Sequence, residues 1–169
     1  MATKWNLDPT HSEITFKVRH MMISNVKGGF NTFTAEIEAE DDSFKNAKVS
    51  ASVDTASVDT NNADRDAHLK SADFFNAEQF PTITFESTAL ADDITGNLTI
   101  NGITKPIELE VEFGGINVDP WGNTKAGFTF EGKIKRGDFG LNWNAALETG
   151  GVLVSDDVKI AGELQFVKS

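Results

Sequence analysis

Three histidines, His11, His20 and His68, are the side chains with the widest chemical range in this 169-residue chain. No two of them have the spacing that puts a zinc-binding pair on one helix face, and no carboxylate completes a recognisable ligand set. There is no cysteine, which removes thiolate metal sites, iron–sulfur clusters and cysteine nucleophiles. Asp8, His11 and Ser12 are neighbours, but a short Asp…His-Ser cluster is not a catalytic triad. It lies where a strand begins, a place where Asp, Thr and Ser commonly satisfy backbone groups. The acidic stretch 54–66 lacks the glycine and closing glutamate of an EF-hand loop. Arg65, Asp66 and His68 form a denser polar group, read as a helix start whose ion pair ties a crossover to the rest of the fold. Phosphate-binding and dinucleotide fingerprints are missing. The sequence therefore assigns no catalytic residue, metal ligand or cofactor. His20 stands apart, because it shares an apolar face with Phe16 and Val18. An inward histidine of that kind either bonds within the core or touches a ligand.

The elements that must hold these residues are strands. Apolar and polar residues alternate with period two along most of the chain. Ile14, Phe16, Val18 and His20 take one face of 12–20. Phe33, Ala35, Ile37 and Ala39 alternate with Thr34, Glu36, Glu38 and Glu40. The pattern returns at Val49, Ala51 and Val53, at Ile83 and Phe85, and at Ile107, Leu109, Val111 and Phe113. It continues through Ala126, Phe128 and Phe130, then Phe139, Leu141 and Trp143, then Val158, Ile160, Leu164 and Phe166. Asn101-Gly102 is a preferred type I′ hairpin turn, and Pro106 implies a sheet edge or a bulge. Asn62–Ser71 is the one helical candidate, with Asn61 or Asn62 as N-cap. About eight or nine strands in a chain with no linker predict a single all-β domain over 1–169, an antiparallel barrel or sandwich.

Composition narrows the partners. Fifteen basic against 26 acidic side chains give a net charge of −11, which argues against nucleic acid and against a surface that clings to anionic lipid. No apolar run approaches the ~20 residues of a membrane span, so stable membrane insertion is not expected. The opening Met-Ala-Thr-Lys-Trp lacks the apolar core of a signal peptide. A cytoplasmic protein is expected, or a periplasmic one if an export segment has been removed. Thirteen Phe, three Trp and no Tyr belong to a wholly apolar interior. A barrel of about eight strands either fills its lumen or holds one small ligand. The inward stripes mix Phe16, Phe85 and Phe128 with Ala35, Ala39, Ala51 and Ala126, and periodicity does not decide between a solid and a hollow interior.

A set of motifs then runs through nearly the whole chain. It starts with Trp5, Asp8, His11, Ser12, Phe16 and Val18-Arg19-His20-Met21-Met22, and passes through Val26-Lys27-Gly28-Gly29-Phe30. Arg65-Asp66-Ala67-His68-Leu69-Lys70-Ser71 and Phe80-Pro81-Thr82-Ile83-Thr84-Phe85 are its most specific blocks, and Arg136, Asp138-Phe139-Gly140-Leu141 close it. In these residues the chain resembles the YceI-like family, the polyisoprenoid-binding, lipocalin-like proteins of bacteria. The resemblance implies an antiparallel barrel of extended lipocalin type with one short helix. It also implies a non-catalytic carrier of a long-chain amphiphile: a polyprenyl phosphate, an isoprenoid quinone or a fatty-acid derivative. It suggests a homodimer, for which the edge near Pro106 offers a contact. Because the family motif does not say which blocks face the ligand, the lining residues come from the alternation. Ile14, Phe16, Val18, Phe85, Phe128, Phe130 and Trp143 are expected along the tail, with His20 near a polar atom. The alternative is a solid-core interaction or stress-related protein with no lipid ligand.

Overall fold

The computed structural model describes residues 3–20, 23–90, 93–141 and 154–169. Among them are eleven strand segments and one α-helix: β1 (Thr3–Leu7), β2 (Glu13–His20), β3 (Ser24–Phe30), β4 (Phe33–Ala39), β5 (Lys48–Asp54), β6 (Val58–Asp59), α1 (Ala63–Lys70), β7 (Thr82–Leu90), β8 (Asp93–Ile100), β9 (Ile103–Val118), β10 (Thr124–Lys135) and β11 (Val154–Lys168). All pairings are antiparallel, and β11 closes the sheet by pairing with β1 at one end and β2 at the other. The result is a closed barrel with eight positions around its ring. Eleven segments fill eight positions because three positions are bent in two: β1 with β2, β3 with β4, and β5 with β6.

Each bend has a local cause. Between β1 and β2, the Asp8 carboxylate accepts hydrogen bonds from the Thr10 N–H (3.1 Å) and hydroxyl (2.7 Å), just ahead of a short 3₁₀ turn begun by Pro9. It also meets His11 at 2.9 Å and the Lys125 ammonium at 3.0 Å, so β10 is tied to the bend. Between β5 and β6, the Asp54 side chain caps the 3₁₀ turn Thr55–Ser57. The bend between β3 and β4 is held from that turn, where the Asn31 N–H donates to the Ser57 carbonyl at 3.1 Å.

Local sequence signals hold elsewhere. Asn101 and Gly102 both take positive φ, 55° and 75°, between the paired Ile100 and Ile103, as a type I′ turn requires. Pro106 sits in a stretch of β9 paired with β8 alone, since β10 joins β9 only from Glu110 onward; the edge expected of a strand proline is there. Asn62 caps α1 by accepting from the Arg65 N–H at 3.0 Å, with Asp64 and Asp66 in the first turn, where carboxylates favour the helix dipole.

Two apolar clusters divide the interior. One end of the barrel is solid: Trp5, Ile37, Ala39, Phe44, Ala47, Ala126 and Phe166 are all buried there. Phe44 enters from the β4–β5 loop with a left-handed backbone (φ 60°) and packs its ring against Trp5, Phe113 and Phe128, with centroids 5.0–5.4 Å apart. A bulky residue at positive φ is uncommon; the conformation aims this ring into the barrel as a plug. Phe30, Phe33, Val53, Val58, Ile83, Leu98, Ile100, Ile134, Phe139 and Leu141 form the other cluster, on the side where α1 crosses.

Candidate functional site

Above the plug the barrel is hollow. A cavity of about 530 Å³ runs from Ala35 and Ala51 near the plug to the rim beneath α1. This lies within the usual size of small-molecule sites, ~300–1,000 Å³. Its wall is almost wholly hydrocarbon. β2 contributes Ile14, Phe16, Val18 and His20, β7 contributes Ile83 and Phe85, β8 contributes Leu98 and Ile100, and β10 contributes Phe130 and Ile134. Alternation places these side chains inward because successive residues on a strand point to opposite faces.

The phenylalanines do not fill the lumen, for a reason visible in the strand register. Phe16 lies directly across from Gly28, and Phe130 directly across from Gly162. A Cβ added at Gly28 would stand 2.5 Å from the Phe16 ring, and one at Gly96 would stand 2.5 Å from the Phe85 ring. At Gly162 an added Cβ would run into the Phe130 ring. Each ring therefore occupies the space a neighbouring side chain would need, and it lies along the wall. The mixture of large and small inward residues makes a lining here, not a solid core.

The rim is polar. α1 presents Asp64, Arg65, His68 and Leu69 to the cavity. The Arg65 guanidinium donates to the Thr60 hydroxyl at 2.7 Å and to its carbonyl at 2.6 Å. From the next position Asp66 accepts from the Thr60 N–H at 2.8 Å and from its hydroxyl at 2.5 Å. Thr60 is buried, so two charged side chains grip one buried residue and hold the helix over the opening. His68 pairs with Asp73 at 3.0 Å. Across the rim Arg136, itself buried, donates to the carbonyls of Ser155 (2.9 Å), Leu141 (2.5 Å) and Val154 (3.2 Å). Burial lowers its pKa, and the charge of Asp156 works in the opposite direction. Among the described residues no group of three His, Asp or Glu side chains is arranged to hold a metal ion.

Residues 5–166 match the model of the YceI-like domain. The chain belongs to the YceI-like family. The UPF0312 protein SA2479 of Staphylococcus aureus strain N315 is 39% identical over 166 residues, 97% of each chain. The crystal structure of the Campylobacter jejuni YCEI protein superposes with a TM-score of 0.77 at 35% identity, covering 89% of this chain and 90% of that one. A domain from Saccharophagus degradans, described as polyisoprenoid binding, has the same fold, with a TM-score of 0.71 at 16% identity over 98% of both chains.

Within this YceI-like barrel, six of the eight residues expected to line a ligand lie on the cavity wall: Ile14, Phe16, Val18, His20, Phe85 and Phe130. Phe128 does not. It lies one inward step further along β10, where its ring stacks on Phe113 at 5.1 Å and meets Phe44 and Phe166 edge-on. Alternation reports the face a residue takes, not its depth along the barrel axis, so Phe128 belongs to the plug. Trp143 lies outside the described residues. The ion pair expected to tie this crossover to the barrel takes another form, since Arg65 and Asp66 both hydrogen-bond Thr60 and His68 pairs with Asp73. The cavity-facing side of α1 and the buried Arg136 were missed. A signal for α1 was present in the spacing of Arg65, His68 and Leu69, which at i, i+3 and i+4 share one helix face. Arg136 stood in the closing motif block, but alternation gave it no role, because two of its three carbonyl partners, Val154 and Ser155, are distant in sequence.

Proposed function

We propose that this YceI-like protein is a non-catalytic carrier that holds one long-chain amphiphile, tail inside the barrel and headgroup at the rim beneath α1. The observation that carries the reading is the cavity itself: about 530 Å³, lined by hydrocarbon, closed at one end by the Phe44 plug and polar at the other. At roughly 30 Å³ per methylene-sized group, it accommodates about 18 of them. Burying each contributes about 0.8 kcal/mol, against ~4–15 kcal/mol lost on immobilising a ligand, so long tails are selected over short ones. An isoprenoid tail is favoured as the chemical class by the polyisoprenoid-binding description of the Saccharophagus domain of the same fold. Ile14, Phe16, Val18, Phe85 and Phe130 are assigned to the tail and His20 to the headgroup region. The rim cations Arg65 and Arg136 are already bonded to backbone carbonyls, an arrangement suited to holding a polar group in place rather than to moving protons.

Native mass spectrometry of freshly purified and of delipidated protein tests this. One bound amphiphile per chain is expected, restored after delipidation by C16 to polyprenyl compounds. Protein that stays empty with such compounds at high micromolar concentration would refute the carrier reading.

A further inference from the structure

The outer wall carries a charge pattern that the cavity does not explain. Lys133, Lys159, Lys17 and Lys27 stand directly opposite one another across β10, β11, β2 and β3, one residue per strand. Their neighbours Ile134, Val158, Phe16 and Val26 line the cavity, so the four lysines point outward. With adjacent strands ~4.8 Å apart, the row is about 15 Å long. Like charges directly opposite one another destabilise a sheet, and only Lys133 is offset, by Asp157 at 3.8 Å. Among the described residues Lys17, Lys27 and Lys159 have no carboxylate within ion-pair distance.

The row also has a direction. Toward β9 it borders Glu131, Glu108, Glu110 and Asp93. On β2 and β3 themselves the one carboxylate is Glu13, at the opposite end of β2, and Arg19 is the next outward residue after Lys17. Beyond β3 the nearest acid is Asp59 of β6, opposite Gly29, which accepts from the Asn61 N–H and the Asn31 side chain. Just ahead of β3, Ile23 is 77% exposed, and its N–H donates to the carbonyl of the cavity-lining His20 at 3.2 Å, which places it at the open end of the barrel.

We propose that this face docks the barrel onto an anionic bilayer, with the lysine row against the headgroups and Ile23 in the interface. The contact is peripheral, without insertion, and it brings the cavity rim to the lipid surface. The net charge of −11 does not forbid it, because at physiological salt the Debye length is ~8 Å and carboxylates on the far wall are screened. Each lysine near such a surface is worth about fivefold in partitioning. The proposal goes beyond the carrier reading and does not depend on it.

The test is cosedimentation of the delipidated full-length chain with vesicles of equal parts phosphatidylcholine and phosphatidylglycerol, and with phosphatidylcholine alone. At about 0.1 M salt the protein should pellet with the mixed vesicles only, and at about 1 M salt, where the Debye length is ~3 Å, it should be released. The triple variant K17Q/K27Q/K159Q should bind about 100-fold more weakly. Its melting temperature should not fall, because like-charge repulsion has been relieved, so lost binding is not misfolding. Ile23→Ser should weaken binding independently of salt. Wild-type protein that stays in the supernatant with mixed vesicles overturns the proposal, as does a triple variant that binds like wild type. So does lysine-dependent self-association, seen by light scattering, without vesicle binding.

Discussion

Ala35 sits where the cavity meets the plug: it lines the hollow, packs against the plug cluster, and faces Ala51 across β4 and β5. Replacing it with Phe adds six ring carbons at the floor of a cavity of about 530 Å³. The ring takes up on the order of 100 Å³, the space of about three methylene-sized groups at ~30 Å³ each. The wild-type protein should bind a series of amphiphiles with one headgroup about fourfold more tightly per added carbon, at ~0.8 kcal/mol each, levelling off near ~18 carbons. In Ala35→Phe the plateau should arrive about three carbons earlier, and the longest tails should lose about 2.5 kcal/mol, roughly 70-fold in Kd. Tails too short to reach the floor should bind both proteins equally. Isothermal titration with the delipidated proteins reads both the slope and the plateau. The ring enters empty space, so thermal stability should not drop, and a melting curve guards against a trivial loss. If the two proteins share one plateau, the tail does not reach the floor and the orientation argued above is wrong.

The Thr60 clamp should govern stability more than affinity. Asp66→Ala leaves the buried Thr60 N–H and hydroxyl without their shared acceptor, so it should cost about 3 kcal/mol in urea unfolding; unchanged stability with lost lipid binding would reverse the assignment. Asp8 should make the barrel acid-sensitive. The Thr10 hydroxyl, His11 and Lys125 hold its carboxyl well below the ordinary 3.8, so its contribution is full above that value and is lost as pH falls through the lowered one. Asp8→Asn should therefore melt lower than wild type at neutral pH, and its melting temperature should fall less steeply below about pH 4. In solution the chain should form a homodimer, and light scattering that reports a monomer across the micromolar range removes that expectation.

What was legible in the sequence was whatever is written locally. Period-two alternation placed Ile14, Phe16, Val18 and His20 on one wall, Asn101-Gly102 announced its turn, Pro106 its edge and Asn62 its cap. Alternation passed over β1, β3 and β6, which are short or glycine-bearing, and it took Phe139 and Leu141 for a strand where Arg136–Phe139 form a 3₁₀ turn ended by Gly140 at φ 72°. Hollowness was illegible for a different reason. Whether Phe16 fills the lumen depends on Gly28 lying opposite it, and that is a matter of register between strands, not of either strand alone. The same holds for the lysine row, whose members are scattered from Lys17 to Lys159 along the chain and become neighbours only when β10, β11, β2 and β3 pair. Depth failed likewise, since Phe128 and Phe130 share a face and only closure of the barrel puts one in the plug and the other in the cavity wall.

The rings laid over Gly28, Gly96 and Gly162 have a consequence for how such a barrel changes its cargo over time. The bore is held open by hydrogen atoms at positions that sit behind the rings. At Gly28 an added methyl would meet only the side chains of Phe16 and Thr60 and so displace the ring, whereas at Gly96 and Gly162 it would also meet the carbonyl oxygens of Glu86 and Glu13 and force the backbone to shift. On the carrier reading proposed above, the bore beside Phe16 is thereby adjustable from Gly28, by a single carbon, with every lining residue unchanged.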